Sequence, residues 1–403
     1  MSDSYQSLFI ETLQDALTEC MAKVQHSGSL LPNELREDAW HLLSYAFRHP
    51  EIWPQTRELL LDISPRMELA GFREDWINYL QTAAARGTDH NDLAATAEFE
   101  YQTGLLYRML TDYERAKSWL NSSRERFALL GDRGGQARVL NELAWIEQLR
   151  RNYDAATEHV DHALSLLDES APERGMCYRV QGMIAIYQGH WEQAESYHRK
   201  ALAIFERHND QRKMAWAIQN IGFSLRGQER LEESIQCFRQ ATSMMSDLND
   251  QYHLSIAQVN LGLAYYFSNL PSEAITYLLE AESKFAQFHD KLQLARVYTN
   301  LGLAYMMNGS NEKASSAFEH SIQAYHELGQ TSLVINAMDG LAASYIAQKQ
   351  YQPATEVINK ALSLLPQIVS EPNYSYLEHS LNTHLQQTQN EQSFVFVAKA
   401  NIS

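Results

Sequence analysis

Residues 260–265 read NLGLAY, and residues 300–305 read NLGLAY again. Aligning the flanks, VNLGLAYYFSNLPSEAITYLLEAESKF from 259 and TNLGLAYMMNGSNEKASSAFEHSIQAY from 299, shows that more than six letters recur. A small residue stands 12 positions after each glycine (Ala274, Ala314), and another stands 19 after (Ala281, Ser321). Stepping backward finds Gly222 with Ser234 and Ala241, and Gly182 with Ala194 and Ala201. Further back lie Ala144 with Ala156 and Ala163, and Gly104 with Ala116 and Ser123; stepping forward finds Ala342 with Ala354 and Ala361. Seven units are thus anchored at 104, 144, 182, 222, 262, 302 and 342, at intervals of 40, 38, 40, 40, 40 and 40.

The physical reading is two antiparallel helices per unit. Apolar residues recur at helical spacing through NLGLAYYF, break at SNLPSE, and resume. Gly262 and Ala274 are expected where two helix backbones approach too closely for a larger side chain, with Tyr265 and Leu278 (Phe238 and Phe318 in sister units) filling the space beside them. One such hairpin cannot bury its own apolar face, so units must stack. Asp132, Asp210, Asp250 and Asp290 each lie 12 residues before an anchor, as does Asp92, where an N-cap is expected to accept hydrogen bonds from the next helix.

This pattern resembles the tetratricopeptide repeat, whose signature is L-G-x2-Y, then A-x3-F, then a third small residue. It is carried by Leu261-Gly262-x-x-Tyr265 with Ala274 and Ala281, and by Leu301-Gly302-x-x-Tyr305 with Ala314 and Phe318. The 40-residue period is similar to the longer variety found in kinesin light chains and in the superhelices of signal-transducing NTPases. The resemblance implies an all-α, right-handed superhelix of about seven helix pairs over 91–368. The extra residues are expected to lengthen both helices and linkers, as in KFAQFHDKLQLARVYTN. The unit at 182 has a short interval, ESAPERG as its linker and Ala185 in place of Tyr, so a local change of pitch is expected there.

The flanks lie outside this phase. Within 1–90, DAWHLLSYAF, TRELLLDISPRMELA and REDWINYLQTAAARG have helical periodicity and are punctuated by Pro32, Pro50, Pro54 and Pro65. They read as an N-terminal helical cap or degenerate repeats, similar to the run-in that follows an NTPase domain; the phosphate-loop motif itself is absent. YSYLEHSLNTHLQQTQ reads as a capping helix over 369–390. The final EQSFVFVAKANIS (391–403) reads as a mobile tail, with FVFVA as an alternative short strand.

Composition narrows the function. The chain has 403 residues, 45% of them hydrophobic, and a formal net charge of −17. That charge argues against nucleic-acid partners and anionic membrane surfaces, both of which need a basic footprint. Cys20, Cys177 and Cys237 are too few and scattered for a disulfide framework, and the N-terminus has no apolar leader, so a cytoplasmic protein is expected. No catalytic constellation stands out. His159 and His162 lack a third ligand, and the carboxylates of Glu232 and Glu233 suit a helix start. No cofactor and no metal are expected.

What remains is recognition of a protein or peptide. In stacked pairs the first helix lines the inner wall, and positions −6, −2, +1 and +4 from the anchor share one face of it. These positions hold Trp216, Asn220, Phe223 and Arg226; then Ile256, Asn260, Leu263 and Tyr266; then Arg296, Asn300, Leu303 and Met306. An asparagine ladder donates and accepts at once and suits a peptide backbone, with apolar shelves beside it. The alternative is that these amides bridge neighbouring helices. Phe223, Leu263 and Leu303 stand where the chaperone-binding subclass of this family wants Asn, which speaks against its terminal-carboxylate clamp. The expected function is a non-catalytic scaffold or adaptor. The alternative is a peptide-sensing bacterial regulator with residues 1–90 as its output surface, and a homodimer stays open.

Overall fold

The computed structural model describes residues 2–27, 31–69, 73–369, 371 and 373–400. Every regular element among them is helical. The chain divides into two compact units, 1–254 and 255–403, and each is described by itself.

In the first unit, α1 (Ser2–His26), α2 (Asn33–Ala46), α3 (Trp53–Leu69) and α4 (Arg73–Asp89) precede the repeats. Four pairs follow: α5 (Leu93–Met109) with α6 (Tyr113–Leu129), α7 (Arg133–Leu149) with α8 (Tyr153–Leu166), α9 (Glu173–Tyr187) with α10 (Trp191–Arg207), and α11 (Gln211–Gly227) with α12 (Leu231–Asp247). Helix α13 (Gln251–Phe267) carries the division between units. The second unit continues with α14 (Pro271–Gln287), α15 (Lys291–Met307), α16 (Asn311–Glu327), α17 (Thr331–Ala347), α18 (Tyr351–Leu364) and α19 (Tyr374–Ala400).

The 40-residue period is built from half-periods. A 17-residue helix such as α6 is followed by a three-residue joint, 130–132, before α7 begins. The extra length of the repeat therefore lies in the helices; the linkers, expected to lengthen too, are held to three residues except between α8 and α9. Each three-residue joint places its middle residue at positive φ, as at Thr111 (63°), Gly131 (67°) and Arg151 (61°). The joint after α5 shows why: the Asp112 N–H reaches back to Tyr107 O (2.9 Å) and the Thr111 N–H to Arg108 O (3.0 Å), closing the helix end with a left-handed residue. Asp112 then caps α6 through the Arg115 N–H at 3.1 Å. The anticipated aspartates act alike: Asp92 accepts from the Ala95 N–H, Asp132 from Gly135, Asp210 from Lys213, Asp250 from His253 and Asp290 from Gln293, at 2.8–3.3 Å.

The anchors hold the two helices of each pair together. A Cβ on Gly104 would meet Leu120 at 2.6 Å, on Gly222 the Cys237 Cβ at 3.0 Å, on Gly262 Leu278 at 2.9 Å, and on Gly302 the Phe318 ring at 2.7 Å. Where the anchor is Ala144 or Ala342, the facing residue is β-branched, Val160 or Ile358, and all four are fully buried. Where the second small residue is serine it bonds across the pair: Ser123 Oγ donates to Ala97 O (2.7 Å) and Ser321 Oγ to Ala295 O (3.0 Å). The short interval at 182 arises because α8 has 14 residues, α9 has 15, and the joint between them spans 167–172. Arg174 closes that joint by donating to Leu164 O and Leu167 O.

One buried cluster runs from Leu13 to Ile146, so the N-terminal helices share a core with the first two repeats. Helix α4 continues the repeat phase, with buried Leu80 and Ala83 at the offsets that Leu120 and Ser123 occupy from Gly104. Pro65, expected as punctuation, lies inside α3. The Ser64 hydroxyl and the Arg66 guanidinium donate to the neighbouring carbonyls of Leu60 and Asp62. In the second unit α19 docks on α17, where Asp339 accepts from Ser380 Oγ (2.7 Å) and pairs with His384 Nδ1 (2.8 Å). Residues 394–398, read as a frayed tail or short strand, lie within α19, and residues 401–403 of that expected tail lie outside the described residues.

Candidate binding face

Within the first unit, successive first helices α5, α7, α9 and α11 pack on one another, while successive second helices share no comparable contact. The same holds for α15 and α17 in the second unit. A stack whose first helices touch and whose second helices splay bends with the first helices inside. The inner face of each unit is therefore presented by its first helices.

On the first unit's inner face the side chains form a connected row. Arg108 Nε lies 2.8 Å from Glu142 Oε2, and its guanidinium sits 6.0 Å from the Trp145 ring. The Arg179 guanidinium lies between two indoles, 5.1 Å from Trp145 and 5.4 Å from Trp216. Trp216 in turn stands 4.9 Å from the His253 ring, and His253 contacts Asp250, which pairs with Arg212 at 2.8 Å. Relative to the repeat anchors these residues sit at +4, +1, −3 and −6, so the row crosses the face diagonally. Beside it the Arg226 guanidinium lies 4.3 Å over Phe223.

Burial shapes the electrostatics of this row. It pulls the Arg179 guanidinium down to about 10, with the field of Glu142 opposing and that of Arg108 reinforcing the effect. Burial alone pulls Arg226 down to about 10. Several polar atoms on or beside the row are buried without a hydrogen-bond partner, among them Arg179 Nε, Trp216 Nε1, Asn220 Nδ2 and both amide atoms of Gln148. Asn220 is 9% exposed and Gln148 2%. Beneath the face, His198 is fully buried with neither ring nitrogen bonded. It occupies the place held by Leu120, Val160, Phe238, Leu278, Phe318 and Ile358 in the sister units. Burial, helped by the Arg179 charge, pushes its pKa down to about 3.

The sequence-derived candidates fall in both units. Trp216, Phe223 and Arg226 are half-buried on α11, and Asn220 is buried there. In the second unit Asn260, Leu263 and Tyr266 are half-buried on α13; on α15, Asn300, Leu303 and Met306 are half-buried and Arg296 is exposed. Leu303 and Met306 pack against the buried cluster of Ala314, Phe318 and Leu341, which leaves them as partial shelves only. Among the described residues neither Asn260 nor Asn300 hydrogen-bonds another side chain or the backbone of a neighbouring helix. Arg108 and Trp145 stand at the +4 and +1 offsets of earlier units, outside the three units that supply the candidates, and Arg179 stands off the series at −3. Trp145, at +1 from Ala144, was the visible signal.

Among the described residues no group of three or more His, Cys, Asp or Glu side chains is placed to hold a metal ion, and no helix is long and apolar enough to cross a membrane. No curated protein sequence matches the chain. Several solved structures share its fold. One is the signal transduction ATPase with numerous domains carrying a tetratricopeptide repeat sensor, from Pyrococcus horikoshii. It is 14% identical with a TM-score of 0.57, and the match covers 88% of this chain and 55% of that one. The chain thus spans about half the length of that protein. Another is a Rap protein complexed with Competence and Sporulation Factor, 15% identical with a TM-score of 0.55, covering 83% and 99% of the two chains. A third is the apo form of the quorum sensor NprR from B. thuringiensis, 14% identical with a TM-score of 0.52, covering 70% and 79%. The tetratricopeptide repeat family model matches residues 213–285 and 293–367. With the anchors, joints and helix pairs described above, these segments are tetratricopeptide repeats, set in an all-α chain with the fold of tetratricopeptide-repeat solenoids.

Proposed function

We propose that this chain is a non-catalytic peptide-binding protein whose inner face, in each unit taken by itself, holds an extended peptide. The observation that carries the reading is the set of hydrogen-bonding groups that the inner face leaves unsatisfied. In the first unit these are Asn220 Nδ2, Trp216 Nε1 and Arg179 Nε; in the second unit the half-buried amides of Asn260 and Asn300 stand open to a ligand at the matching position. A buried donor without a partner costs about 1–3 kcal/mol, and a peptide backbone supplies the missing acceptors and donors along one line. Half-buried Leu263 and Tyr266 flank the second unit's amides and offer apolar contact to the peptide's side chains. The test is retention of a synthetic peptide pool by the immobilised full chain, compared with the Asn260→Ala, Asn300→Ala double variant. The peptides that the second unit holds are expected to be retained at least tenfold less, with stability unchanged within about 0.5 kcal/mol. Stability that collapses while retention holds would make the amides structural and end the reading.

A second reading has the same face sense a peptide and the N-terminal helices pass the signal on. It is favoured by one observation: Tyr5, Leu8 and Phe9 on α1 and Tyr45 on α2 are exposed large apolar side chains, with the Phe9 and Tyr45 rings 6.3 Å apart. A contiguous exposed apolar patch marks a contact surface. The Rap protein complexed with Competence and Sporulation Factor and the quorum sensor NprR lend this form of the reading support by likeness of fold. Small-angle scattering separates the two readings: a sensor compacts when a retained peptide is added, and a passive adaptor does not.

A further inference from the structure

We infer that the first unit's inner face takes an acidic peptide, one of whose carboxylates seats on the edge of the Arg179 guanidinium between Trp145 and Trp216. This rests on the peptide-binding reading above and names the ligand's chemistry. The chain as a whole carries a formal charge of −17, yet this stretch of its inner face has the opposite balance. Arg108 and Arg179 share one carboxylate, Glu142, which stands 2.8 Å from Arg108 Nε as an ion pair without hydrogen-bond geometry and reaches Arg179 through its field. Other charges on the face have carboxylate partners, as in Arg138 with Glu98 at 2.7 Å and Arg212 with Asp250 at 2.8 Å. Arg179 Nε is thus buried with an electrostatic neighbour and, among the described residues, no hydrogen-bonded partner.

Geometry then selects the ligand. With an indole on either side, at 5.1 and 5.4 Å, Arg179 offers a ligand its edge, where the N–H groups lie in one plane. Two oxygens in a plane are what a guanidinium fork accepts, and a carboxylate provides them with the charge that Arg179 lacks. The indoles exclude water around the pair, which strengthens the contact. Asn220, buried with its Nδ2 unsatisfied one helical turn from Trp216, is a second donor on the same helix for the adjoining peptide carbonyl. The net charge of the chain repels a polyanion such as nucleic acid, whereas a single carboxylate on a short peptide meets the local surplus.

Two pools of short synthetic peptides, matched in sequence except that Asp and Glu in one are Asn and Gln in the other, decide the matter. Each pool is made as the free acid and as the C-terminal amide, and retention on the immobilised full chain is read by mass spectrometry. Wild type is expected to retain the carboxylate-bearing peptides about tenfold better than the neutral amidated pool, the ratio that one charge-assisted hydrogen bond gives. A preference for the acidic pool in amidated form assigns the ligand group to a side chain. A preference for free acids over amides within the neutral pool assigns it to the chain terminus; either supports the inference. In Arg179→Met the preference is expected to vanish, so that the acidic and neutral amidated pools are retained alike. Arg179→Lys, which keeps the charge and loses the fork, is expected to fall between. Equal retention of acidic and neutral amidated pools by wild type, with no gain from a free terminus, overturns the inference and leaves the peptide-binding reading standing. Retention of none of the pools overturns both.

Discussion

Replacing His198 with leucine should make the protein more stable, and increasingly so as the pH falls. His198 sits where the six sister units place Leu, Val, Phe, Leu, Phe and Ile, fully buried against Gly182, with both ring nitrogens unbonded. A neutral imidazole there buries one donor and one acceptor without partners. Each such group costs about 1–3 kcal/mol, and a volume-similar apolar swap gives back less than about 1.5 kcal/mol in repacking. Leu120 against Gly104 and Leu278 against Gly262 show that leucine fits this corner. At pH 7.5 the gain is expected to be about 2 kcal/mol. The pH dependence follows from the depressed pKa. The unfolded chain takes up a proton at the usual histidine value of 6.5, whereas the folded chain resists until about pH 3. Wild type therefore loses stability as the pH falls from 6.5 towards 3, and the leucine variant is spared that loss. At pH 5 the advantage should have grown by about 2 kcal/mol, the linkage free energy of protonating a group of pKa 6.5 in the unfolded state alone. Urea denaturation followed by tryptophan fluorescence at the two pH values measures both quantities. A variant less stable than wild type, or an advantage that stays constant between pH 7.5 and 5, would refute the reasoning, because His198 would then have a partner and an ordinary titration.

Two further perturbations test the repeat itself. Gly302→Ala should cost about 1–3 kcal/mol, because its Cβ would stand 2.7 Å from the Phe318 ring. Phe318→Ile should relieve part of that cost in the double variant, copying the Ala342–Ile358 pair, and a double-mutant cycle with no coupling would contradict the anchor's role. Thr111→Gly should raise stability by about 0.5–1 kcal/mol, since an exposed β-branched residue there is held at a φ of 63°. Denaturation midpoints that fall on this substitution would show that the joint does not require the left-handed residue.

What was legible in the sequence had a side-chain signature at constant spacing. The anchors, the small residues 12 and 19 positions on, and the capping aspartates are each dictated by a local requirement that few residue types meet. The half-period of 20 was hidden because a left-handed joint constrains the backbone and leaves the side chain to vary: Thr111, Arg151, Glu229, His289 and Lys349 share it with Asn and Gly positions. Pro65 reads as a helix end, yet side chains on either side of it serve neighbouring carbonyls and the helix runs on. Of the Arg–Trp row, Trp216 is legible at −6. Arg108 at +4 and Trp145 at +1 share the face offsets in earlier units, and Arg179, at −3, falls outside that series. His198 was visible as the one polar residue in a column of apolar ones, and its significance waited on knowing that no partner reaches it.

The central claim is that the first helix of each pair presents a face whose unsatisfied groups receive a peptide. Amide hydrogen exchange read by mass spectrometry, with and without a peptide retained from the pools, tests it most directly. Protection is expected in α5, α7, α9 and α11 of the first unit or in α13 and α15 of the second, with the second helices of the pairs unchanged. Protection confined to the second helices, or to α1–α4, would contradict the account.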